Sequence, residues 1–245
     1  DPPHTIYSTN DTLTKLLQNT ICIAIVGSRR PTEYGKRVTK ELVQGLSNLP
    51  CTIISGMAYG IDSYALQEAV NVGLPTIGVP GSGIYPQVIY PRQSANLAES
   101  ITKSGGSVIT QFEPNEQSKP WMFPVRNKLM AALCHAVVII EADHTSGSLI
   151  TAFHALEFNR DIFSVPGSIF SNLSNGTNNL LKHGAIPILN NQTLRTYILE
   201  HPCVQNVLKA NKSETFANNE SPASAIVKPQ TLTSIENSIM NALTE

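Results

Sequence analysis

Arg29 and Arg30 follow directly on Gly27 and Ser28, at the end of an apolar run at residues 21–26. Two guanidiniums beside a glycine and a serine suit an anion: glycine admits close backbone approach, serine offers a hydroxyl, and arginine brings charge and a fork of donors. Three further Gly/Ser clusters follow. Ser55 and Gly56 open Ser55-Gly56-Met57-Ala58-Tyr59-Gly60, Gly81 and Ser82 lie in Pro80-Gly81-Ser82-Gly83, and Ser146, Gly147 and Ser148 close residues 142–148. Another cluster is basic and aromatic, with Phe123, Arg126, Asn127 and Lys128 following Lys119 and Trp121. A single nucleic-acid strand requires that mixture, cations for its phosphates and ring faces for its bases. From Arg29 to Lys40 there are five basic residues and one acid. Lys36, Arg37 and Lys40 read as a solvated helix face, whereas Arg29 and Arg30, in a loop beside Gly27, are expected to point into a crevice.

Other chemistries fit these residues poorly. The first turn, Gly27-Ser28-Arg29-Arg30-Pro31-Thr32-Glu33-Tyr34-Gly35, is not G-x-G-x-x-G, and the second strand ends at Ser55 where a dinucleotide site needs a carboxylate for the ribose. Gly27 and Gly35-Lys36 are too far apart for a phosphate-binding P-loop, and Arg37 takes the Ser/Thr place. Neither H-E-x-x-H nor G-x-S-x-G occurs, the six histidines lack metal-ligand spacing, and the four cysteines (Cys22, Cys51, Cys134, Cys203) form no C-x-x-C pair. The cysteines read as reduced thiols of a cytoplasmic protein. No catalytic residue, metal or cofactor is expected.

The clusters must be carried by a scaffold, and its pattern is regular. Short Ile- and Val-rich runs at 21–26, 52–55, 75–79, 107–112, 136–141, 161–165 and 185–189 alternate with amphipathic stretches at 34–46, 62–70, 94–103, 126–133 and 148–158. Continuous apolar strands suit a sheet covered on both faces, and strand–helix–strand repetition implies right-handed crossovers. The expected fold is α/β, an extended Rossmann-like, doubly wound and mostly parallel sheet. In such sheets the loops at the carboxyl ends of the strands share one edge, so all four Gly/Ser clusters are expected along it, facing a phosphate-bearing ligand.

The bulk properties agree with a globule. Of 245 residues, 41% are hydrophobic and 14% charged, and the net charge of −1 means that any polyanion must be met by a local basic patch. No apolar run approaches the ~18 residues of a spanning helix, and the opening Asp1-Pro2-Pro3-His4 lacks a signal-peptide pattern; no membrane partner is expected. Residues 1–205 read as one core. Residues 206–230 are polar, carry Ser221-Pro222 and read as a linker; residues 231–245 have a Ser/Thr cap and apolar residues at helical spacing, and read as the start of a further domain.

Taken in order, these motifs resemble one family. Gly27-Ser28-Arg29 with Thr32 and Tyr34-Gly35, then Ser55-Gly56-Met57-Ala58-Tyr59-Gly60-Ile61-Asp62, then Gly81-Ser82-Gly83 with Tyr90-Pro91, are similar to the opening loops of the DprA/Smf family of DNA-processing proteins. Phe123-Pro124-Val125-Arg126-Asn127-Lys128 resembles its F-P-x-R-N-R/K, and Ser146-Gly147-Ser148-Leu149-Ile150-Thr151-Ala152, Val165-Pro166-Gly167 and Asn175-Gly176-Thr177-Asn178 complete the set. The resemblance implies a homodimer that binds single-stranded DNA taken up in natural transformation and hands it to RecA. It also implies a small helical domain before this core and a winged-helix-like domain after it, of which residues 231–245 would be the start. Arg29, Arg126 and Lys128 match positions that the family uses for strand contact; Arg30 is added on charge and place. Where the family usually has A-H-x-x-A, this chain has Tyr64-Ala65-Leu66 and Glu68-Ala69, so no histidine role carries over. The apolar stretch at 186–199 is the expected dimer contact.

An enzymatic alternative rests on a looser likeness. Ser146-Gly147-Ser148-Leu149-Ile150-Thr151 leading to Glu157 resembles the P-G-G-x-G-T-x-x-E motif of nucleoside-monophosphate phosphoribohydrolases, with Glu157 set too far along the helix. Glu141 and Asp143 are the other carboxylates expected in the cleft.

Overall fold

The computed structural model describes residues 2–202 and 204–205; the expected linker and the helical pattern at 231–245 lie outside the described residues. One eight-stranded sheet carries the chain, in the order β1-β5-β4-β3-β2-β6-β7-β8. Its strands are β1 (Tyr7–Ser8), β2 (Ile21–Val26), β3 (Cys51–Ser55), β4 (Thr76–Gly78), β5 (Ser107–Thr110), β6 (Ala136–Ile139), β7 (Asp161–Ser164) and β8 (Ile186–Pro187). All pairings are parallel except that of β1 with β5. The helices are α1 (Leu13–Asn19), α2 (Glu33–Gly45), α3 (Ile61–Asn71), α4 (Ser94–Lys103), α5 (Met122–Leu133), α6 (Ser148–Glu157), α7 (Asn175–Lys182) and α8 (Gln192–Glu200). The expected doubly wound α/β sheet is therefore present.

The central strand shows why its sequence is unbroken by polar residues. Ile21, Ile23 and Ile25 of β2 share one core with Leu42 and Val43 of α2 and Ile61 and Ala65 of α3. Cys22, Ala24 and Val26 share a second core with Leu129 and Met130 of α5 and Ala152 and Ala155 of α6. Alternate residues thus bury into opposite layers, so both strand faces must be apolar. Cys22, Cys51 and Cys134 are buried free thiols; burial pushes Cys51 and Cys134 up to about 12, which leaves them unreactive near neutral pH.

Every strand and helix expected within residues 1–205 is found, with boundaries shifted by a few residues. Among the described residues five elements go beyond the expectation, one of them a single 3₁₀ turn at Asn172–Ser174. β1 is a two-residue edge strand and α1 a seven-residue helix that buries Leu13 and Leu16, both too short for periodicity to declare. α7 is polar and Asn-rich, and α8 buries Leu194 and Ile198 within the expected dimer stretch, leaving Ile186, Leu189 and Leu199 exposed there. Among the described residues no helix is long and apolar enough to cross a membrane.

Candidate functional site

The strand order determines where a ligand can lie. From β2 the chain first builds outward through β3, β4 and β5, then returns to lay β6 on the other side of β2. Val26 pairs with Ile139, so these neighbouring strands end level, and the loops that leave them must part in opposite directions. That parting is the switch point at which open α/β sheets bind ligands. A cleft of about 750 Å³ opens there, between Gly27, Ser28, Arg29 and Arg30 on one side and residues 143–148 on the other, with the first half of α5 as a third wall.

Local packing sets each wall. A Cβ on Gly27 would come within 2.8 Å of Ile61 and 3.1 Å of the Glu141 carbonyl, and Gly60 holds φ +77 directly over the Ser28 carbonyl. Both positions need glycine for the first loop to seat on α3. The Ser28 hydroxyl turns back to accept the Arg30 N–H at 3.1 Å, so the following pair of arginines projects outward, exposed. The Arg29 guanidinium lies 5.6 Å from the Phe123 ring centre. Phe123 meets Tyr90 edge-on at 5.8 Å, and Tyr90 meets Tyr59 at 6.5 Å. Across the cleft, Asn127 Nδ2 donates to the Gly147 carbonyl at 3.2 Å, and the Ser146 and Ser148 hydroxyls are 2.7 Å apart. These serines stand at the amino end of α6, where unpaired N–H groups favour anions. Thr151 Oγ1, one turn into α6 and also on the cleft wall, is buried without a hydrogen-bond partner.

The carboxylates serve the framework. Glu141 accepts from the Thr32 N–H at 2.9 Å and from the Thr32 hydroxyl, which places its charge at the favourable amino end of α2. Asp143 accepts from the Thr145 hydroxyl and N–H, and these bonds hold its carboxyl below the usual range. Asp62 is buried in the first turn of α3. Burial raises its pKa, against the lowering influence of Arg126, the Gly56 and Ala58 backbone and Arg29. Burial in turn draws Arg126 down to about 10, countered by Asp62, so it remains a cation at neutral pH. Its Nη1 donates to the carbonyls of Gly56 and of Val79, the latter at 2.7 Å, and its Nε is unpartnered. Among the described residues no group of three or more His, Cys, Asp or Glu side chains could hold a metal ion.

Residues 1–198 match the profile of the DNA recombination-mediator protein A family. The chain belongs to that family. DNA processing protein DprA of Bacillus subtilis is 36% identical over 185 residues, 76% of this chain and 61% of that protein. DNA processing protein A of Streptococcus pneumoniae has a solved structure that superposes with a TM-score of 0.72 at 34% identity, covering 80% of this chain and 67% of that one. For the Helicobacter pylori protein of the same name, whose structure concerns a single-stranded DNA binding mode, the TM-score is 0.71 at 32% identity, covering 86% and 89%. The chain thus spans about three-fifths of the Bacillus relative's length.

In this DprA-family chain the residues expected at the site divide into two sets. Gly27, Ser28, Arg29, Arg30, Phe123, Arg126, Asn127, Ser146, Gly147 and Ser148 all line the one cleft. Ser55, Gly56, Gly81, Ser82 and Lys128 do not line it, so the structure gathers two of the four Gly/Ser loops around this cleft. Ser55 and Ser82 are fully buried, donating to the carbonyls of Ile25 and Gly83. Gly56 makes room for Arg126 and Asp62, and Gly81 for the Phe123 ring. Their smallness admits these neighbouring side chains. Lys128 lines a separate cavity of about 770 Å³ with Glu113 and His154, because residues two apart on a helix point to different sides. Arg126, expected as a strand contact, is 4% exposed and anchored from within.

Three participants escape the sequence reading. Asp62, Tyr59 and Tyr90 all lie within quoted motifs, yet only the fold shows that Asp62 sits beside Arg126 and that the two tyrosines extend the Phe123 ring row. Glu157 pairs with His154 at 2.7 Å on the flank of α6 and is absent from the cleft wall, so the glutamate of the enzymatic alternative does not reach the site.

Proposed function

We propose that this chain binds single-stranded DNA in the switch-point cleft, without altering it, and delivers the strand to a RecA-type recombinase as a homodimer. One observation carries the reading: Arg29 stands against the Phe123 ring at the mouth of a cleft whose far wall is the hydroxyl-rich amino end of α6. A phosphate meets cations, hydroxyls and helix N–H groups there, while a neighbouring base meets a ring face, and among the described residues the cleft presents no helix for reading a duplex groove. The binding mode described for the Helicobacter pylori relative supports this choice of ligand, and the family's description as recombination mediators supports the delivery step. The dimer rests on family resemblance and on the apolar residues Ile186, Leu189 and Leu199 left exposed near β8 and α8. Catalysis is not proposed, because Glu141 and Asp143 are each engaged by neighbouring threonines, and Asp62 is buried beside Arg126.

The experiment is fluorescence anisotropy with labelled oligo-dT and a duplex of equal length, at fixed ionic strength. Tighter binding of the single strand is expected, and equal affinities would count against the assignment. Chromatography of AMP and CMP incubated with the chain should show no released base. Turnover abolished by Glu141→Gln or Asp143→Asn would restore the enzymatic alternative.

A further inference from the structure

Phe170 is 92% exposed and its neighbour Ile169 81%, the two most exposed large apolar side chains among the described residues. They stand together at the apex of the loop that follows β7. Scattered surface apolar residues are ordinary, but this loop is braced from both ends by hydrogen bonds. The Tyr34 hydroxyl donates to the Pro166 carbonyl at 2.9 Å. Gly167 and Asn178 exchange two hydrogen bonds, of 3.2 and 3.0 Å. The Phe170 N–H donates to the Ser168 hydroxyl at 3.2 Å. At the far end, the Ala142 N–H donates to the Leu173 carbonyl at 2.7 Å and the Gly176 N–H to the Ala142 carbonyl at 2.8 Å. An apex held outward by such bonds keeps its ring in water instead of folding it onto the core.

The bracing also gives the loop its position. Tyr34 opens α2 just beyond Arg29 and Arg30, and Leu173 lines the cleft itself. Phe170 is three residues from Leu173, so their Cα atoms lie within about 11 Å. The surrounding sequence is free of repulsion toward a polyanion: no Asp or Glu occurs between Asp161 and Glu200.

We propose that the loop at 166–173 is a stacking platform on which Phe170, flanked by Ile169, receives a base of the strand as it leaves the switch-point cleft. The proposal rests on the single-strand reading above. A rigid exposed ring suits this role, because stacking is tolerant of base identity and little side-chain freedom is lost on binding.

The test compares Phe170→Ala with the unaltered chain on oligo-dT of about five and about twenty residues, spanning the usual range of site sizes. The long oligonucleotide should bind about five- to tenfold more weakly to the variant with the salt slope unchanged, while the short one loses less than about twofold, as expected for one lost stack outside the cleft. Phe170→Trp in a Trp121→Phe background, which removes the native tryptophan, should show fluorescence quenched by the long oligonucleotide. Unchanged affinity at both lengths with unquenched fluorescence overturns the platform but leaves the cleft reading intact, provided that Arg29→Ala still weakens binding. Failure of the unaltered chain to bind either oligonucleotide removes both. Light scattering decides a further outcome: if Phe170→Ala converts a dimer to monomer while DNA affinity holds, the ring is a contact between copies and the platform is wrong.

Discussion

Arg29 and Phe123 are far apart in sequence, yet the guanidinium carbon of one lies 5.6 Å from the ring centre of the other. The first loop and the first turn of α5 are thereby joined across the mouth of the cleft. A cation facing a ring at an exposed site contributes about 0.5–1 kcal/mol. Its larger effect is geometric, since the charge for a phosphate and the ring for a base keep a fixed separation before any strand arrives.

Salt dependence should report the two arginines separately from Lys128. Each phosphate contact to a single strand contributes roughly −0.7 to the slope of log affinity against log salt. Arg29→Ala and Arg30→Ala should each make the slope shallower by about that amount in anisotropy titrations across several KCl concentrations. Lys128→Ala should leave it unchanged, because that side chain faces the other cavity.

Phe123→Ala should behave differently from the arginine variants. Losing a stacked base costs about 1–3 kcal/mol, so affinity should fall at every salt concentration with no change of slope. Phe123→Tyr should retain most of the affinity, which would separate stacking from bulk packing against Gly81.

The Asp62–Arg126 pair should matter to stability before it matters to DNA. Arg126→Ala takes a donor from the Gly56 and Val79 carbonyls and leaves the nearby buried Asp62 charge less compensated, at a cost of about 1–3 kcal/mol. Urea unfolding of Arg126→Ala should show a loss of that order, and Asp62→Ala combined with Arg126→Met should lose less than the sum of the single changes. A stable Arg126→Ala chain would show that the guanidinium is dispensable to the frame.

Acid should destabilise the fold through His135. Burial, and then the charges of His201 and Arg160, lower its pKa to about 4, and its Nδ1 accepts the Cys22 N–H at 3.0 Å. The unfolded chain takes up this proton near the ordinary 6.5, the folded chain only near 4, so protons favour unfolding in that window. Stability should therefore be full above about pH 6.5, fall as pH drops toward 4, and level off below, by at most about 3 kcal/mol. Urea midpoints at a series of pH values check this; His135→Asn, which keeps an acceptor but cannot charge, should flatten the curve.

The fold was readable wherever a strand is covered on both faces, because Ile21–Val26 and Ala136–Ile139 can be little else. Short peripheral pieces such as β1 carry too few residues for a period to show. At the site, Gly27–Arg30 and Ser146–Ser148 could be recognised because their strands lie at the switch point. Ser55, Gly56, Gly81 and Ser82 have the same composition but lie at and beyond the ends of β3 and β4, further from it. Small residues mark a close approach without saying what approaches, and here it is Arg126, Asp62 and Phe123. Similarly, a basic residue in a motif declares charge but not depth, and the burial of Arg126 against the Gly56 and Val79 carbonyls is visible only in the fold.

The bonds from Thr32 to Glu141 join the loop after β2 to the segment after β6, so the two halves of the sheet are tied together where their chains part. A crevice whose two sides are tied in this way keeps its width, so a strand held as proposed would not be gripped by closure or have to wait for opening. Such a strand would leave sideways over the rim, one phosphate at a time. On the proposed delivery to a recombinase, the strand would then be taken by lateral peeling, each step costing a single contact rather than the whole binding energy.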